Sequence, residues 1–129
     1  MRSTPSSPPR VLVADAANAT RDRLCAWISE STGAHAYAVA SDAESVRRGF
    51  EAHRPDCVVI DAPLHDHRGF ALLTELRDMC PYCLLIVLVN DNHRELRRRV
   101  CAAGADYCLD KSQEFERVAE LVTALGSEA

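Results

Sequence analysis

The sequence predicts an α/β protein with a doubly wound, five-stranded parallel sheet and helices on both faces. Strand-like and helix-like segments alternate five times along the chain. Their connections are short, which suits β-α units wound in one direction. Two of the strand segments, Cys57-Val58-Val59-Ile60, running into Asp61, and Leu84-Leu85-Ile86-Val87-Leu88-Val89, are unbroken apolar runs. Runs of that kind read as strands buried on both faces, as in a parallel sheet covered by helices.

The elements follow in order. Arg10-Val11-Leu12-Val13-Ala14 is a short apolar strand ending at Asp15. Asn18 opens a helix that carries Leu24, Trp27 and Ile28 inward and stops at Gly33. His35 to Ala40 alternates weakly and reads as an edge strand. Ser41-Asp42-Ala43-Glu44 has the capping-box spacing and starts a helix over Val46 and Phe50 that ends before Pro55. After the strand ending at Asp61, a helical pattern runs from Gly69 to about Met79. The Leu84–Val89 segment is the most apolar stretch and reads as a central strand. Asn90-Asp91-Asn92 starts a helix across Leu96, Val100 and Ala103, closed by Gly104. Tyr107-Cys108-Leu109 is a last short strand, and Ser112 caps a final helix through Phe115, Val118, Leu121, Val122 and Leu125. One domain is expected over residues 10–126, after a mobile Pro/Ser-rich tail (1–9) and before a short one (127–129).

Composition narrows the function classes. The 129 residues are 47% hydrophobic and 26% charged, with net charge −4, so the basic excess of a nucleic-acid binder is missing. Arg97-Arg98-Arg99 reads as the solvated face of a helix. No apolar run approaches the roughly 20 residues of a membrane span, and the start lacks a signal-peptide core, which points to a cytoplasmic protein. Cys25, Cys57, Cys101 and Cys108 fall inside apolar patterns and are expected as reduced core residues.

Parallel strands align their C-terminal ends along one rim, where α/β proteins place their sites. Asp15 ends the first strand, Asp61 the third, and Lys111 follows the fifth. Two carboxylates held together repel unless a cation sits between them, and hard oxygen ligands suit Mg²⁺. Of the 15 basic residues, Lys111 is the only lysine, a hint that a compact ammonium is required there.

With those residues in place, the stretch from Val11 to Leu125 resembles the receiver domain of bacterial response regulators. The marks are Val-Leu-Val-Ala-Asp15 with Arg21 six residues on, Pro55-Asp56-Cys-Val-Val-Ile-Asp61, and Gly69 eight residues after Asp61. Gly104-Ala105-Asp106 follows, with Lys111 seven residues after Gly104. The resemblance implies a flavodoxin-like sheet in which Asp61 accepts a phosphoryl group from a sensor histidine kinase or phosphotransfer protein. It implies Mg²⁺ held by Asp15, Asp61 and the carbonyl of Pro63, and Lys111 neutralising the phosphoryl oxygens. In-line attack by a carboxylate needs such cations. The module itself is expected to be no enzyme. It is expected to bind a downstream protein through the fourth helix, fifth strand and fifth helix, where Arg94, Arg97 and Arg98 supply charge; a homodimer stays open.

The chain departs from the family's pattern at several positions. Ala16 stands where a second acid adjoins the first, so Mg²⁺ binding should be weak. Val89 replaces the hydroxyl residue that senses the phosphoryl group, and Cys108 replaces the aromatic that rotates with it, Tyr107 lying one residue early on the other face. Ser112 replaces the usual proline. Phosphorylation is therefore expected to be impaired or atypical, with a phosphorylation-independent pseudo-receiver as the alternative.

Three rival motifs remain. Cys80-Pro81-Tyr82-Cys83 is identical to the redox-active tetrapeptide of glutaredoxins. It closes a helix instead of opening one, so the helix dipole that activates such thiols is missing. A thiol-disulfide protein using Cys80 and Cys83 is the remote alternative. His65-Asp66-His67 offers too few ligands for a closed metal site. Ala16 to Thr20 makes a poor phosphate loop for a flavin or nucleotide.

Overall fold

The apolar runs pair side by side in one sheet. The computed structural model describes residues 8–15, 18–39, 42–61, 67–90, 94–111 and 114–127. They form β1 (Arg10–Asp15), α1 (Asn18–Thr32), β2 (His35–Val39), α2 (Ala43–His53), β3 (Cys57–Asp61), α3 (His67–Met79), β4 (Leu84–Val89), α4 (Arg94–Ala102), β5 (Tyr107–Asp110) and α5 (Glu116–Ser127). The strand order is β2-β1-β3-β4-β5 and every pair is parallel. That is the flavodoxin-like order, and β2 is an edge strand as its weak alternation suggests. The chain winds outward from β1, then returns past it to β3. This reversal opens a crevice over the carboxyl ends of β1 and β3.

Alternation along each strand divides the core into two layers. Leu12, Ala14, Val58, Ile60, Val87 and Val89 pack with Val46, Leu73, Leu76 and Val100 beneath α2, α3 and α4. Val11, Val13, Cys57, Val59, Leu88 and Leu109 pack with Leu24, Ile28, Val118 and Val122 beneath α1 and α5. Each fully buried Leu or Ile contributes about 1.5–3 kcal/mol, so these layers dominate the stability. Gly49 lets α2 settle onto the sheet: a Cβ there would stand 2.9 Å from Val39 Cγ1 and 3.0 Å from Leu12 Cδ1.

Helix ends follow local chemistry, with some shifts from expectation. α1 begins at Asn18 and is stopped by Gly33 at φ 76°. The cap of α2 is Asp42, one residue later than the capping-box spacing implies. Its carboxylate accepts from the Ser45 N–H at 2.9 Å and the Ser45 hydroxyl at 2.8 Å. Glu44, free of that role, pairs with Arg48 at 3.3 Å. The described part of α4 spans Arg94–Ala102, and Gly104 follows its end at φ 128°; Asp91 and Asn92 of the expected start lie outside the described residues. α5 begins at Glu116, so Phe115 precedes the helix; its ring lies 4.5 Å from that of Trp27 on α1.

The far end of the sheet is fastened by Arg77, which the sequence reading passed over. Its guanidinium donates to the carbonyls of Cys80 (3.3 Å), Pro81 (3.0 Å), Cys83 (2.8 Å) and Gly104 (2.8 and 3.0 Å), and to the Asp106 carboxylate at 2.8 Å. One planar fork thereby joins the end of α3, the turn into β4 and the approach to β5.

The six cysteines are all free. Cys57 and Cys108 are buried as expected and Cys25 half-buried, but Cys101 is exposed. Val100 takes the inward position on α4, and the next residue turns about 100° away from it. No helix among the described residues is long and apolar enough to cross a membrane.

Candidate functional site

Residues 11, 13 and 15 of β1, and 57, 59 and 61 of β3, share the face beneath α1 and α5. Asp15 and Asp61 are register partners at the ends of these two strands. Their backbones therefore lie about 5 Å apart and both carboxylates leave the same face. Asp15 is 4% exposed. Lys111 follows β5, and its N–H donates to the Val89 carbonyl at 2.9 Å, fixing it beside the end of β4. From there its ammonium reaches across to Asp61, 3.0 Å from Oδ1 and 2.9 Å from Oδ2. Asp15, Asp61 and Lys111, from three separate stretches of sequence, thus meet at one rim of the sheet.

The electrostatics of the cluster are opposed. Burial pushes the Asp61 carboxyl above the ordinary carboxylate range, and the negative neighbour Asp15 adds to this; the Lys111 ammonium pulls the other way. The net direction is upward. Asp61 keeps 11% of its side chain exposed and Lys111 31%, so the pair is reachable from solvent.

The donor set bears directly on a metal. Among the described residues no group of three or more His, Cys, Asp or Glu side chains could hold one. Two carboxylates remain, and one of them has the Lys111 ammonium on both oxygens. A hexacoordinate Mg²⁺ would take most of its ligands from water there. Ala16, the Pro63 carbonyl, His65 and Asp66 lie outside the described residues, as does Ser112.

The other departures are placed. Val89 and Cys108 are both buried in the apolar layer beneath α2–α4, while Tyr107 packs against the opposite layer under the Arg117 guanidinium at 5.5 Å. A residue the sequence reading missed is Glu114. It accepts from the Asp110 N–H at 2.9 Å, donates its own N–H to the Asp110 carbonyl at 2.7 Å, and meets Arg97 at 3.5 Å. It thereby braces the residues around Lys111. The four-residue spacing from Asp110 was the available signal.

A family model described as the response regulator receiver domain matches residues 11–123. The chain belongs to that family. Receiver domains are in general non-enzymatic signalling modules that interact with histidine kinases or phosphotransfer proteins and with effector domains, and they typically bind Mg²⁺ at the phosphorylation site. The chain is similar to the receiver domain of the Francisella response regulator 1452 (TM-score 0.78, 23% identity, 93% of this chain and 98% of that one). It is also similar to a LuxR-family response regulator from Aurantimonas sp. SI85-9A1 (TM-score 0.81, 20% identity, 95% and 87%). A two-component response regulator from Clostridium difficile is a further neighbour (TM-score 0.78, 18% identity, 91% and 94%). At these identities the likeness speaks for the fold. None of the curated proteins compared matches the chain.

The Cys80-to-Cys83 segment stands at the other end of β4 from this receiver site, between the end of α3 and Leu84. Burial pushes the Cys83 thiol up to about 12, the opposite of what a fast thiol-exchange enzyme needs.

Proposed function

We propose that this receiver domain takes part in a histidine-to-aspartate phosphorelay with Asp61 as phosphoacceptor, that its phosphorylation is impaired or atypical, and that it acts by binding another protein. The observation that carries this is the Lys111 ammonium resting on both oxygens of Asp61, in a sequence that has Ala16 where the family's second acid follows Asp15. The pair leaves Asp61 nucleophilic only when Lys111 moves onto the incoming phosphoryl group, and a Mg²⁺ held by so few protein oxygens would add little positive charge there. Asp15 with Asp61, and the Pro63 carbonyl by resemblance, would hold Mg²⁺, which supplies charge neutralisation for the transferred group. Lys111 would then bind the phosphoryl oxygens.

Val89 and Cys108 are packed into one layer, and neither side chain carries the hydroxyl or the aromatic ring that would pass the state of Asp61 outward. We therefore assign the output to the surface of α4, β5 and α5, where Arg94 and Arg98 are exposed. Six free thiols suit a reducing compartment such as the cytoplasm.

The test is incubation with Mg²⁺ and acetyl phosphate, read by intact-mass analysis against the D61N protein. Slow, substoichiometric labelling that D61N abolishes is the expected result. Rapid stoichiometric labelling would remove the impairment. Absence of labelling at any Mg²⁺ concentration would remove the acceptor role and leave a phosphorylation-independent pseudo-receiver.

A further inference from the structure

One motif is untouched by the receiver reading: the turn Cys80-Pro81-Tyr82-Cys83, at the end of the sheet remote from Asp61. We propose that Cys80 and Cys83 form a modification site, closing into an intramolecular disulfide by exchange with a low-molecular-weight disulfide of the glutathione class.

Three observations carry it. The two cysteines are the first and last residues of a tight turn, closed by the Cys83 N–H donating to the Cys80 carbonyl at 3.4 Å. A turn of that kind brings its end Cα atoms within about 7 Å, and disulfides span about 4.4–6.8 Å. Both side chains also point to the same place: Cys83 belongs to the apolar layer beneath α2–α4, and Cys80 packs against that layer. Finally, the turn is held before any bond forms. Pro81 fixes its second position, and Arg77 grips the carbonyls of Cys80, Pro81 and Cys83. Ring closure then costs little further ordering.

Exposure sets the order of events. Cys80 is half-buried and reachable, whereas Cys83 is 3% exposed. The Cys80 thiolate attacks one sulfur of the small disulfide and releases one thiol, leaving a mixed disulfide on Cys80. Cys83 then loses its proton to solvent and attacks the Cys80 sulfur, releasing the second thiol. Two protein thiols are oxidised by two electrons, and one small disulfide is reduced to two thiols, which take up the two protons. The high value of the Cys83 thiol makes it a slow entrant and a poor leaving group when an external thiol attacks Cys80. The disulfide therefore forms slowly and persists. This behaviour is that of a regulatory latch between α3 and β4 and does not depend on phosphorylation of Asp61.

The experiment uses the folded protein carrying Cys101→Ser, which removes the exposed competing thiol. It is equilibrated with mixtures of glutathione disulfide and glutathione, quenched with acid, and mapped by peptide mass analysis. A loss of two titratable thiols, with Cys80 linked to Cys83, is the expected result. Adding C83A should leave glutathione on Cys80, and adding C80A should abolish the reaction. A glutathione adduct persisting on Cys80 in the presence of Cys83 would overturn the proposal. So would an unreacted Cys80 in mixtures that modify Cys101 of the unsubstituted protein.

Discussion

The Nζ of Lys111 lies 3.0 Å from one carboxylate oxygen of Asp61 and 2.9 Å from the other. This places the chain's single lysine squarely on the acid proposed to react, while Asp15 stands opposite on the neighbouring strand. The rim is therefore a balance of one ammonium against two carboxylates, and its pH response follows from that.

Asp61 holds its proton more tightly in the folded protein than in the unfolded chain, because burial and Asp15 outweigh Lys111. In the unfolded chain it titrates near 4. Folding therefore takes up a proton in the window above about pH 4, and this contribution to stability is lost as pH rises through the folded value. Asp61→Asn removes the titration. The stability difference between D61N and wild type should be constant below that window and shift in favour of D61N across it. Loss of the Lys111 contact adds an offset, so the slope of the difference is what counts. Denaturant unfolding of both proteins at a series of pH values measures it, and parallel pH profiles would contradict the raised Asp61 value.

Restoring an acid at position 16 tests the metal argument. Ala16→Asp adds a hard oxygen ligand beside Asp15, and Mg²⁺ affinity should rise by about tenfold or more, equivalent to about 1.4 kcal/mol. Calorimetric titration with MgCl₂ reads this directly. Labelling by acetyl phosphate should accelerate in the same variant. Unchanged affinity would mean that the missing acid is not what limits the site.

Arg77 is expected to be the most sensitive surface-reaching residue. Its fork serves four carbonyls and a carboxylate at once. A lysine has three donors on one atom and cannot span them. Arg77→Lys should cost about 2 kcal/mol and Arg77→Ala about 3 kcal/mol. Chemical denaturation of the reduced proteins gives both numbers; a loss below about 0.5 kcal/mol for R77A would show the contacts to be worth no more than ordinary surface ones.

What the sequence revealed, and what it hid, divides by range. Strands β3 and β4 were legible because burial on both faces leaves unbroken apolar runs. Asp15, Asp61 and Lys111 were legible because parallel strands must end together. Gly33 and Gly104 marked their helix ends through backbone conformations that glycine favours. The cap of α2 slipped by one residue because Ser41 and Asp42 are both good caps, and only the backbone decides between them. Phe115 reads as part of α5 because its three-residue spacing to Val118 imitates a helical stripe, yet the helix starts at Glu116. Cys101 reads as a core residue because an apolar cluster in sequence does not say which neighbour turns inward, and Val100 takes that place. Arg77 was invisible for a different reason: its partners Gly104 and Asp106 are 27 and 29 residues away.

The seat of α2 on the sheet rests on Gly49, and a coupled pair of substitutions should expose it. Alanine in place of glycine favours a helix by about 1 kcal/mol in an unhindered position. Here the added Cβ would meet Val39 Cγ1 at 2.9 Å and Leu12 Cδ1 at 3.0 Å, so a neighbour must give way. Overpacking of this kind costs about 1–3 kcal/mol, enough to cancel or exceed the helical gain. Val39 lies half-buried on the edge strand β2 and can be trimmed with modest loss. G49A should therefore destabilise the protein by about 1 kcal/mol, and V39A should recover part of that loss when the two are combined. The measurement is a double-mutant cycle by denaturant unfolding. A favourable coupling of at least about 0.5 kcal/mol is expected. Simple additivity would show that α2 shifts as a whole and that the close approach at Gly49 sets no limit on packing.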